Sequence, residues 1–282
     1  MAARQPAMSP SVHEKVYNPL GHNEIRILTL LPGPRFAQVR CTLSHRKLLP
    51  SATCSYEALS YTWGTSEDSD TIWLNGHRFT IRANLLQILK NLRYMFCTRS
   101  LWIDALCINQ SDVDERSSQV AIMCNLYRKA LAVLAWIGED EKGVTGLFNF
   151  LTETEGKFYS PDESDRRSNL LGTWIQVFSA GRADFEPIPR LGVTFPCEEF
   201  KLKFRYIIEK TYWSRVWIIQ EILSGSNVQL ICGGSSLSLD YLASSIRSCA
   251  ALESGFYTEI GLSAACISQR IIEVSSERKD GR

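Results

Sequence analysis

The chain has 282 residues, of which 45% are hydrophobic and 22% charged, and its formal net charge is +1. This length fits one large domain or two small ones, with enough apolar residues for a packed core. The near-neutral charge and the scattered basic residues exclude the broad positive surface of a nucleic-acid-binding protein. No apolar run approaches the roughly 20 residues that cross a bilayer, so we expect no membrane span.

We expect no export signal in the N-terminal segment, because its first eleven residues contain no apolar core of signal-peptide length. The nine cysteines are scattered without a CxxC pair, and the four histidines are isolated. We therefore expect reduced cysteines in a cytoplasmic protein, and no metal site.

The first part of the chain is rich in strand signals. The runs 24–30 and 36–43 flank a turn containing proline and glycine, and the second run alternates apolar and polar residues. We expect these two strands to pair as a hairpin. Asn75-Gly76 lies between apolar runs within 71–81, and both residues accept positive φ, which predicts a second hairpin.

Strands and helices then alternate. Apolar runs at 56–62, 100–108 and 131–137 predict strands, and helical periodicity appears over 84–96 and 112–130. This alternation is typical of a parallel sheet flanked by helices. The fold predicted from the sequence is therefore α/β, with a central, mostly parallel sheet to which antiparallel hairpins are added.

Capping residues predict where the two helices begin. Asn84 is the expected N-cap of the first helix, whose buried face extends to Phe96. Ser111 and Asp114 fit a capping box for the second. The expected buried stripe of the second helix is Val120, Met123, Tyr127 and Ala130.

The second half of the chain is less regular. Proline and charged residues predict a loop-rich insertion over about 153–197, with a helix near 170–180. A helix near 198–210 follows, and then a continuous helix that Thr211 caps and Gly225 ends. The run 227–239 predicts a late hairpin, and a last helix starts at Asp240.

The predicted domain organisation is simple. Residues 1–20 form a disordered N-terminal segment, 21–255 a single domain that contains the insertion, and 256–282 a helical or flexible tail. No internal repeat is visible.

Three polar and aromatic clusters are candidates for a site. They are Ser60, Tyr61, Trp63 and Gly64; Asp104, Asn109 and Gln110, with Glu115 and Arg116 just beyond; and Trp213, Arg215, Trp217, Gln220 and Glu221. The first two clusters follow predicted strands, and ligands of parallel sheets bind outside the carboxyl ends of the strands. We therefore predict that the three clusters converge at one rim of the sheet.

Glu221 is the candidate catalytic residue. On a continuous helix it shares a face with Trp213 and Trp217, which are spaced by four residues. Burial beside indoles raises the pKa of a carboxyl group, which is one way in which a catalytic acid–base is prepared. Structural alternatives exist: the tryptophans as core residues, and Glu221 as a buried hydrogen-bond acceptor.

The second cluster also has structural alternatives. Asp104 lies within the predicted strand 100–108, and a buried carboxylate requires a partner. We expect an ion pair with Arg116 or Arg215, or a cap on the backbone. Asn109 and Gln110 can equally be turn residues. The common phosphate, dinucleotide, serine-hydrolase and zinc-protease motifs are absent, and no cofactor is expected.

Three blocks of the chain resemble the fungal heterokaryon incompatibility (HET) domain. They are YEALSYTWG, LWIDALCINQSDVDERSSQVAIMCNLYRKALAVLAWIGE and YWSRVWIIQEI, spanning roughly residues 55–223. The resemblance implies a role in non-self recognition, in which proteins with this domain trigger programmed cell death when incompatible hyphae fuse. It also implies a protein partner, either a second copy of the chain or another incompatibility protein.

A second resemblance is to the Toll/interleukin-1 receptor (TIR) domain, a flavodoxin-like parallel α/β fold. SRVWIIQEI is similar to the TIR block S-R-W-C-L-x-E-L, whose glutamate falls on Glu221. This resemblance implies NAD as a possible substrate, cleaved at the nicotinamide–ribose bond. The chain departs from the block at Ile218, which replaces a cysteine, and at the inserted Val216.

The resemblances lead to two functional hypotheses. As an interaction module, the domain signals by self-association, with exposed aromatics such as Tyr61 or Trp63 as contact anchors. As an NAD-cleaving enzyme, Glu221 stabilises an oxocarbenium-like state; Trp63 or Tyr61 stacks on a ring, and Asp104, Asn109 and Arg116 form the pocket floor. A scaffold whose three blocks only build the core is a third reading.

Overall fold

A computed structural model describes residues 12–48, 55–64, 68–155, 197–215, 217–243, 267 and 271–277. Most of the predicted insertion, including its helix near 170–180, lies outside the described residues. The chain divides into two compact units. The first comprises residues up to Leu59 together with Trp63–Leu131, and the second comprises Ser60–Thr62 and the chain from Ala132 onward. The boundary falls inside the single domain that the sequence predicts over 21–255.

The described part of the first unit combines a sheet with short helices. Its strands are β1 (Glu24–Leu30), β2 (Arg40–Lys47), β3 (Glu57–Tyr61), β4 (Ser69–Leu74), β5 (His77–Arg82) and β6 (Arg99–Trp102). Its helices are α1 (Val12–Val16), α2 (Ala83–Leu92), α3 (Asp104–Cys107) and α4 (Val113–Lys129). The last residues of β3, Ser60 and Tyr61, belong to the second unit. Helix α1 lies in the segment 1–20, for which the sequence predicts disorder.

The sheet of the first unit is mixed. Its strand order is β5-β4-β2-β1-β6-β3. The pairs β1–β2, β1–β6 and β4–β5 are antiparallel, whereas β2–β4 and β3–β6 are parallel. The α/β class is confirmed, but a mostly parallel, flavodoxin-like sheet is not. The physical reason is connectivity, because strands joined by short turns pair antiparallel, and both predicted hairpins are part of the sheet.

The β4–β5 hairpin is confirmed, with its turn at the predicted residues. Asn75 and Gly76 form its turn, with φ of 50° and 79°, and Leu74 pairs with His77. Both φ values lie in the left-handed region, as a two-residue hairpin turn requires.

Replacing Gly76 by alanine is expected to lower the free energy of unfolding by about 1 kcal/mol, because a Cβ atom disfavours positive φ. The added Cβ would meet no atom within 4 Å, so the cost comes from the backbone alone. Gly234, in the turn between strands Val228–Cys232 and Ser235–Ser238, provides a matched control: its Cβ would also meet no atom within 4 Å, and its φ lies outside the left-handed region. Urea unfolding that shows equal losses for Gly76→Ala and Gly234→Ala would contradict this prediction.

Both helix starts differ from the predictions. Helix α2 begins at Ala83 and its N-cap position is Arg82, so Asn84 is not the cap. The helix ends before Arg93, and Phe96 is exposed. Helix α4 begins after Asp112, whose carboxylate accepts a hydrogen bond from the Glu115 backbone N–H at 2.9 Å. At α4 the chain thus uses the neighbouring Asp112 instead of Ser111, whereas the N-cap position of α2 has no side-chain cap.

The buried face of α4 is displaced from the predicted stripe. Met123, Tyr127 and Ala130 are buried as predicted, but Val120 is exposed. Leu126 is fully buried instead.

The predicted strand 100–108 is wrong beyond its first residues. Strand β6 ends at Trp102, and residues Asp104–Cys107 form the short helix α3. The Asp104 carboxylate accepts a hydrogen bond from the Ala105 backbone N–H at 2.7 Å. Such a local bond competes with the strand ladder, which explains why a run of buried apolar residues bends here.

The second unit has its own elements. They are β7 (Val133–Gly138), α5 (Val144–Glu155), α6 (Cys197–Ile208), a 3-10 helix (Thr211–Ser214), α7 (Ile218–Ser224), β8 (Val228–Cys232) and β9 (Ser235–Ser238). Within this unit the strand order is β3-β7-β8-β9, where β3 contributes Ser60 and Tyr61. Strands β7 and β8 are parallel, and the predicted β8–β9 hairpin is confirmed.

The predicted continuous helix from Thr211 to Gly225 is wrong. The chain forms a 3-10 turn, leaves helical geometry at Arg215, and resumes as α7 at Ile218. Gly225 ends α7 as predicted. A Cβ atom at Gly225 would lie 2.4 Å from Cγ2 of Val133, so the glycine lets the end of α7 lie directly against β7. None of the helices in the described ranges is long and apolar enough to cross a membrane.

Candidate functional site

The second unit contains a buried polar cluster around Glu221, which is 3% exposed. Ser60 Oγ donates a short hydrogen bond to Glu221 Oε2. The Tyr212 hydroxyl lies 2.8 Å from the same Ser60 oxygen. Arg215 approaches both carboxylate oxygens at 3.4 Å. Residues of the first and third sequence blocks therefore form one network, which we call the Glu221 cluster: Ser60, Tyr212, Arg215 and Glu221.

Burial dominates the electrostatics of this cluster. It raises the pKa of Glu221 above its ordinary value, although Arg215 and the Ser60 hydroxyl act in the opposite direction. The guanidinium is too distant, at 3.4 Å, to reverse the cost of desolvation. The pKa of Tyr212 is also raised, first by burial and then by the neighbouring carboxylate. The sequence correctly predicts a raised pKa for Glu221.

The reason for that raised pKa differs from the prediction. Because α7 begins at Ile218, Trp213, Trp217 and Glu221 do not share one continuous helical face. Trp217 is 52% exposed, and the half-buried Trp213 donates its indole N–H to the Ile207 carbonyl at 2.8 Å. The residues that enclose the carboxylate include Ser60, which belongs to the first predicted cluster, and Tyr212, which belongs to none of the three. The indication of Tyr212 in the sequence is that it lies inside a block that carries the HET resemblance.

The first unit contains a second cluster around Trp63 and Asp104. The indole N–H of Trp63 donates to Asp104 Oδ2 at 3.0 Å. The guanidinium of Arg82 lies over the Trp63 ring, 5.1 Å from its centroid, and donates to the Gly64 carbonyl at 2.8 Å. Gly64 has φ of 74°, which favours glycine. The structure thus brings together three residues of the predicted site.

Gln110 joins this second cluster, and Arg116 does not. The Gln110 side chain donates to the backbone carbonyl of Asp104 at 2.8 Å. Arg116 is exposed on α4, and within the described ranges it forms no ion pair with Asp104, so that predicted partner is wrong. The reason is geometric, because the predicted strand becomes α3 and presents the carboxylate to the Trp63 indole instead.

Asn109 is part of a turn. Its side-chain oxygen accepts from the Ser111 backbone N–H at 3.2 Å, which is the geometry of an Asx turn. Its own backbone N–H donates to Glu115 Oε1 at 2.7 Å. The structural alternative therefore accounts for Asn109.

The sequence reasoning missed a buried ion pair in the first unit. Arg26 on β1 is 1% exposed, and its Nη1 lies 2.6 Å from Glu115 Oε1. The guanidinium also donates to the carbonyls of Cys107 at 3.2 Å and Asn18 at 2.5 Å. The sequence does contain an indication of this ion pair, because Arg26 is the one basic residue inside the apolar strand EIRILTL. This pair ties β1 to the start of α4.

A groove of about 670 Å³ lies beside this ion pair within the first unit. Asn109, Glu115 and Gln119 contribute to its wall, together with Glu24 and Asp112. The volume lies in the range of small-molecule sites. In the described part of the chain no three histidine, cysteine or carboxylate side chains are grouped so as to hold a metal ion.

The candidate residues thus fall into two groups. The second unit contains Ser60, Tyr61, Trp213, Arg215, Trp217, Gln220 and Glu221, and Tyr61 is buried. The first unit contains the others: Trp63, Gly64, Asp104, Asn109, Gln110, Glu115 and Arg116. The convergence of all three blocks on one pocket stays a prediction.

Two comparisons with known proteins give a match. The profile of the family described as heterokaryon incompatibility protein (HET) matches residues 56–221. Heterokaryon incompatibility protein 6, OR allele, from Neurospora crassa is 28% identical over 233 residues, which cover 74% of this chain and 33% of that protein. The chain therefore spans about a third of the length of this curated relative. No solved structure matches the chain.

Proposed function

Because the chain belongs to the heterokaryon incompatibility (HET) family, whose profile covers residues 56–221, we propose that it is an effector of fungal non-self recognition that triggers programmed cell death. The similarity to heterokaryon incompatibility protein 6 supports this role. The protein acts in the cytoplasm, where hyphal fusion mixes the contents of two cells.

One structural observation supports a signalling module rather than a catalyst. Glu221 is 3% exposed, and Ser60 and Arg215 hold its carboxylate. The hydrogen-bond partners of this carboxyl group come from the fold itself, and little of the group is accessible to a substrate. In this proposal the sequence blocks build the core that presents an interaction surface.

Self-association is the proposed signalling step. Tyr61 and Trp63 were the expected contact anchors, but Tyr61 is buried and Trp63 is half-buried. Trp217 is the better candidate, because its ring is 52% exposed next to the Glu221 cluster. Exposed tryptophans are frequent hot spots of protein interfaces.

The test expresses the chain from an inducible promoter in a fungal host and measures viability together with the sedimentation of the purified protein. We expect cell death and concentration-dependent oligomers, and we expect Trp217→Ala to reduce both. Leu202→Ala is the matched control, because Leu202 is another exposed apolar residue of the second unit. If the chain is strictly monomeric and still causes cell death, self-association is not the signalling step.

NAD cleavage is the second candidate, and the raised pKa of Glu221 is the observation in its favour. The low exposure of the carboxylate counts against it, since a substrate must reach the catalytic group. The variant Glu221→Gln, which preserves the size of the side chain, distinguishes the effector function from NAD cleavage. Under the effector proposal this variant kills like the parent, and concentrated protein releases no nicotinamide from NAD. Nicotinamide release that Glu221→Gln abolishes would favour the enzyme.

A further inference from the structure

Two phenylalanines of the first unit are almost completely exposed, Phe36 at 90% and Phe96 at 93%. Phe36 lies in the loop 31–39 between β1 and β2, and Phe96 lies in the loop 93–98 between α2 and β6. Strands β1 and β6 pair antiparallel, with Leu30 opposite Arg99. The two loops therefore leave the sheet at the same end.

The two loops are fixed to each other by hydrogen bonds. Buried Arg93 donates to the carbonyls of Pro34, Ala37 and Gln38, the latter two at 2.8 and 3.1 Å. The Gly33 backbone N–H donates to the Tyr94 carbonyl at 3.0 Å. The Phe36 ring therefore projects from an anchored loop.

The local geometry explains why Phe36 projects. The Ala37 backbone N–H donates to the Pro34 carbonyl at 3.0 Å, which closes a four-residue turn. Arg35 and Phe36 are the two central residues of that turn. An apolar ring at the tip of a closed turn remains in water unless another phase or molecule covers it.

More apolar and aromatic side chains extend this surface. Tyr94 and Met95 flank Phe96, and Trp73 on β4 lies opposite Arg40 of β2. All three are exposed. We call the set the Phe36–Phe96 surface: Phe36, Trp73, Tyr94, Met95 and Phe96. Such a set of exposed large apolar residues indicates an interaction site.

The charges around this surface have one dominant sign. The segments 31–40 and 90–99 contain five arginines and lysines and no carboxylate. Arg99 is paired with Glu57 at 2.5 Å, whereas Arg35 and Arg40 are exposed and form no ion pair among the described residues. The acidic residue nearest to Trp73 on β4 is Asp70. The surface therefore complements an anionic partner.

We propose that the Phe36–Phe96 surface docks on a membrane that contains anionic lipid. Aromatic and thioether side chains at loop tips can enter the boundary between headgroups and acyl chains, while neighbouring arginines stay at the headgroups. A second copy of this surface would present the same excess of positive charge, with no carboxylate in segments 31–40 and 90–99 to pair with Arg35 or Arg40. Projecting rings also suit a fluid phase, whereas a rigid protein surface would need pockets of matching shape.

Vesicle flotation with the full 282-residue chain tests this proposal. We expect binding to phosphatidylcholine vesicles that contain phosphatidylserine, and little binding to phosphatidylcholine alone. The double variant Phe36→Ala/Phe96→Ala should lower the partition coefficient by about tenfold or more, because two exposed rings no longer insert. The matched control is Val113→Ala/Leu131→Ala, which truncates exposed apolar residues elsewhere in the first unit and should bind like the parent.

A second set of variants tests the contribution of the arginines to vesicle binding. Arg35→Gln and Arg40→Gln should each weaken binding by about fivefold, since each basic residue near an anionic membrane contributes about 1 kcal/mol. Arg116→Gln removes an exposed charge on α4 and should have no effect. Added salt should weaken binding of the parent chain.

Three outcomes would overturn the proposal. One is equal binding to neutral vesicles, and another is a double phenylalanine variant that binds like the parent while keeping the same melting temperature. The third is an absence of binding to vesicles that contain phosphatidylserine; a dimer that the phenylalanine substitutions dissociate would then assign the surface to a second copy. None of these readouts depends on cell death, so the result is independent of the proposed function.

Discussion

Glu221→Ala is expected to lower the free energy of unfolding by about 3 kcal/mol. The substitution removes the acceptor of Ser60 Oγ and the only carboxylate that the structure places against Arg215 among the described residues. Urea unfolding followed by tryptophan fluorescence measures this loss. Glu209→Ala is the matched control: its carboxylate pairs with Arg205 on the exposed face of α6, and its removal should change stability by less than about 0.5 kcal/mol.

Glu221 should also make stability depend on pH. Burial raises its pKa in the folded state above the ordinary value of 4.5, so the folded state holds its proton to higher pH than the unfolded chain. The stabilising contribution is therefore full below pH 4.5 and is lost as the pH rises through the raised pKa. Glu221→Gln has no proton to lose. The stability difference between this variant and the parent should consequently shift in favour of the variant as the pH rises.

A parent chain that gains stability relative to Glu221→Gln over the same pH range would show that Arg215 outweighs burial. Equal losses in Glu221→Ala and Glu209→Ala would show instead that the Glu221 cluster contributes nothing to folding. Either result would contradict the structural role proposed for this carboxylate.

Arg26→Ala is expected to cost about 4 kcal/mol, because it leaves the Glu115 carboxylate without its ion-pair partner in a largely buried position. It also removes the donor to the carbonyls of Cys107 and Asn18. Thermal and urea unfolding measure the loss. Arg46→Ala on β2 is the matched control, because Arg46 is exposed and lies opposite Ile25 on the neighbouring strand.

A double-mutant cycle isolates the pair itself. Arg26→Ala and Glu115→Gln should be less destabilising together than the sum of their separate effects, by about 1 kcal/mol or more, because each removes the same contact. Glu115 also accepts from the Asn109 backbone N–H at 2.7 Å, so the single Glu115 variant should retain a cost of its own. Additive effects would mean that the ion pair does not stabilise the first unit.

The hairpins could be predicted because local chemistry determines them. Asn75 and Gly76 accept positive φ at low cost, and the β4–β5 register follows from that turn. The order of strands in the sheet could not be predicted in the same way. The β1–β6 pair joins strands far apart in the sequence, and no periodicity within either strand specifies its neighbour.

The candidate site could also be predicted only in part, because some of its contacts join residues that are far apart in the sequence. The sequence predicts the direction of the pKa shift of Glu221, which burial raises, but not the residues that enclose the carboxylate. Its partner Ser60 is 161 residues away in the chain, and only the folded structure brings the two together. The break before Ile218 was missed because the tryptophan spacing fits an unbroken helix, whereas the chain leaves helical geometry at Arg215.

Strand β3 has a consequence for any attempt to divide the protein. Its first three residues belong to the first unit, and Ser60 and Tyr61 belong to the second. A fragment that starts at Ala132 would lack the hydroxyl that donates to Glu221. Neither unit can thus be excised as one uninterrupted stretch of polypeptide, and dissection of this protein requires a circularly permuted chain or two fragments supplied together.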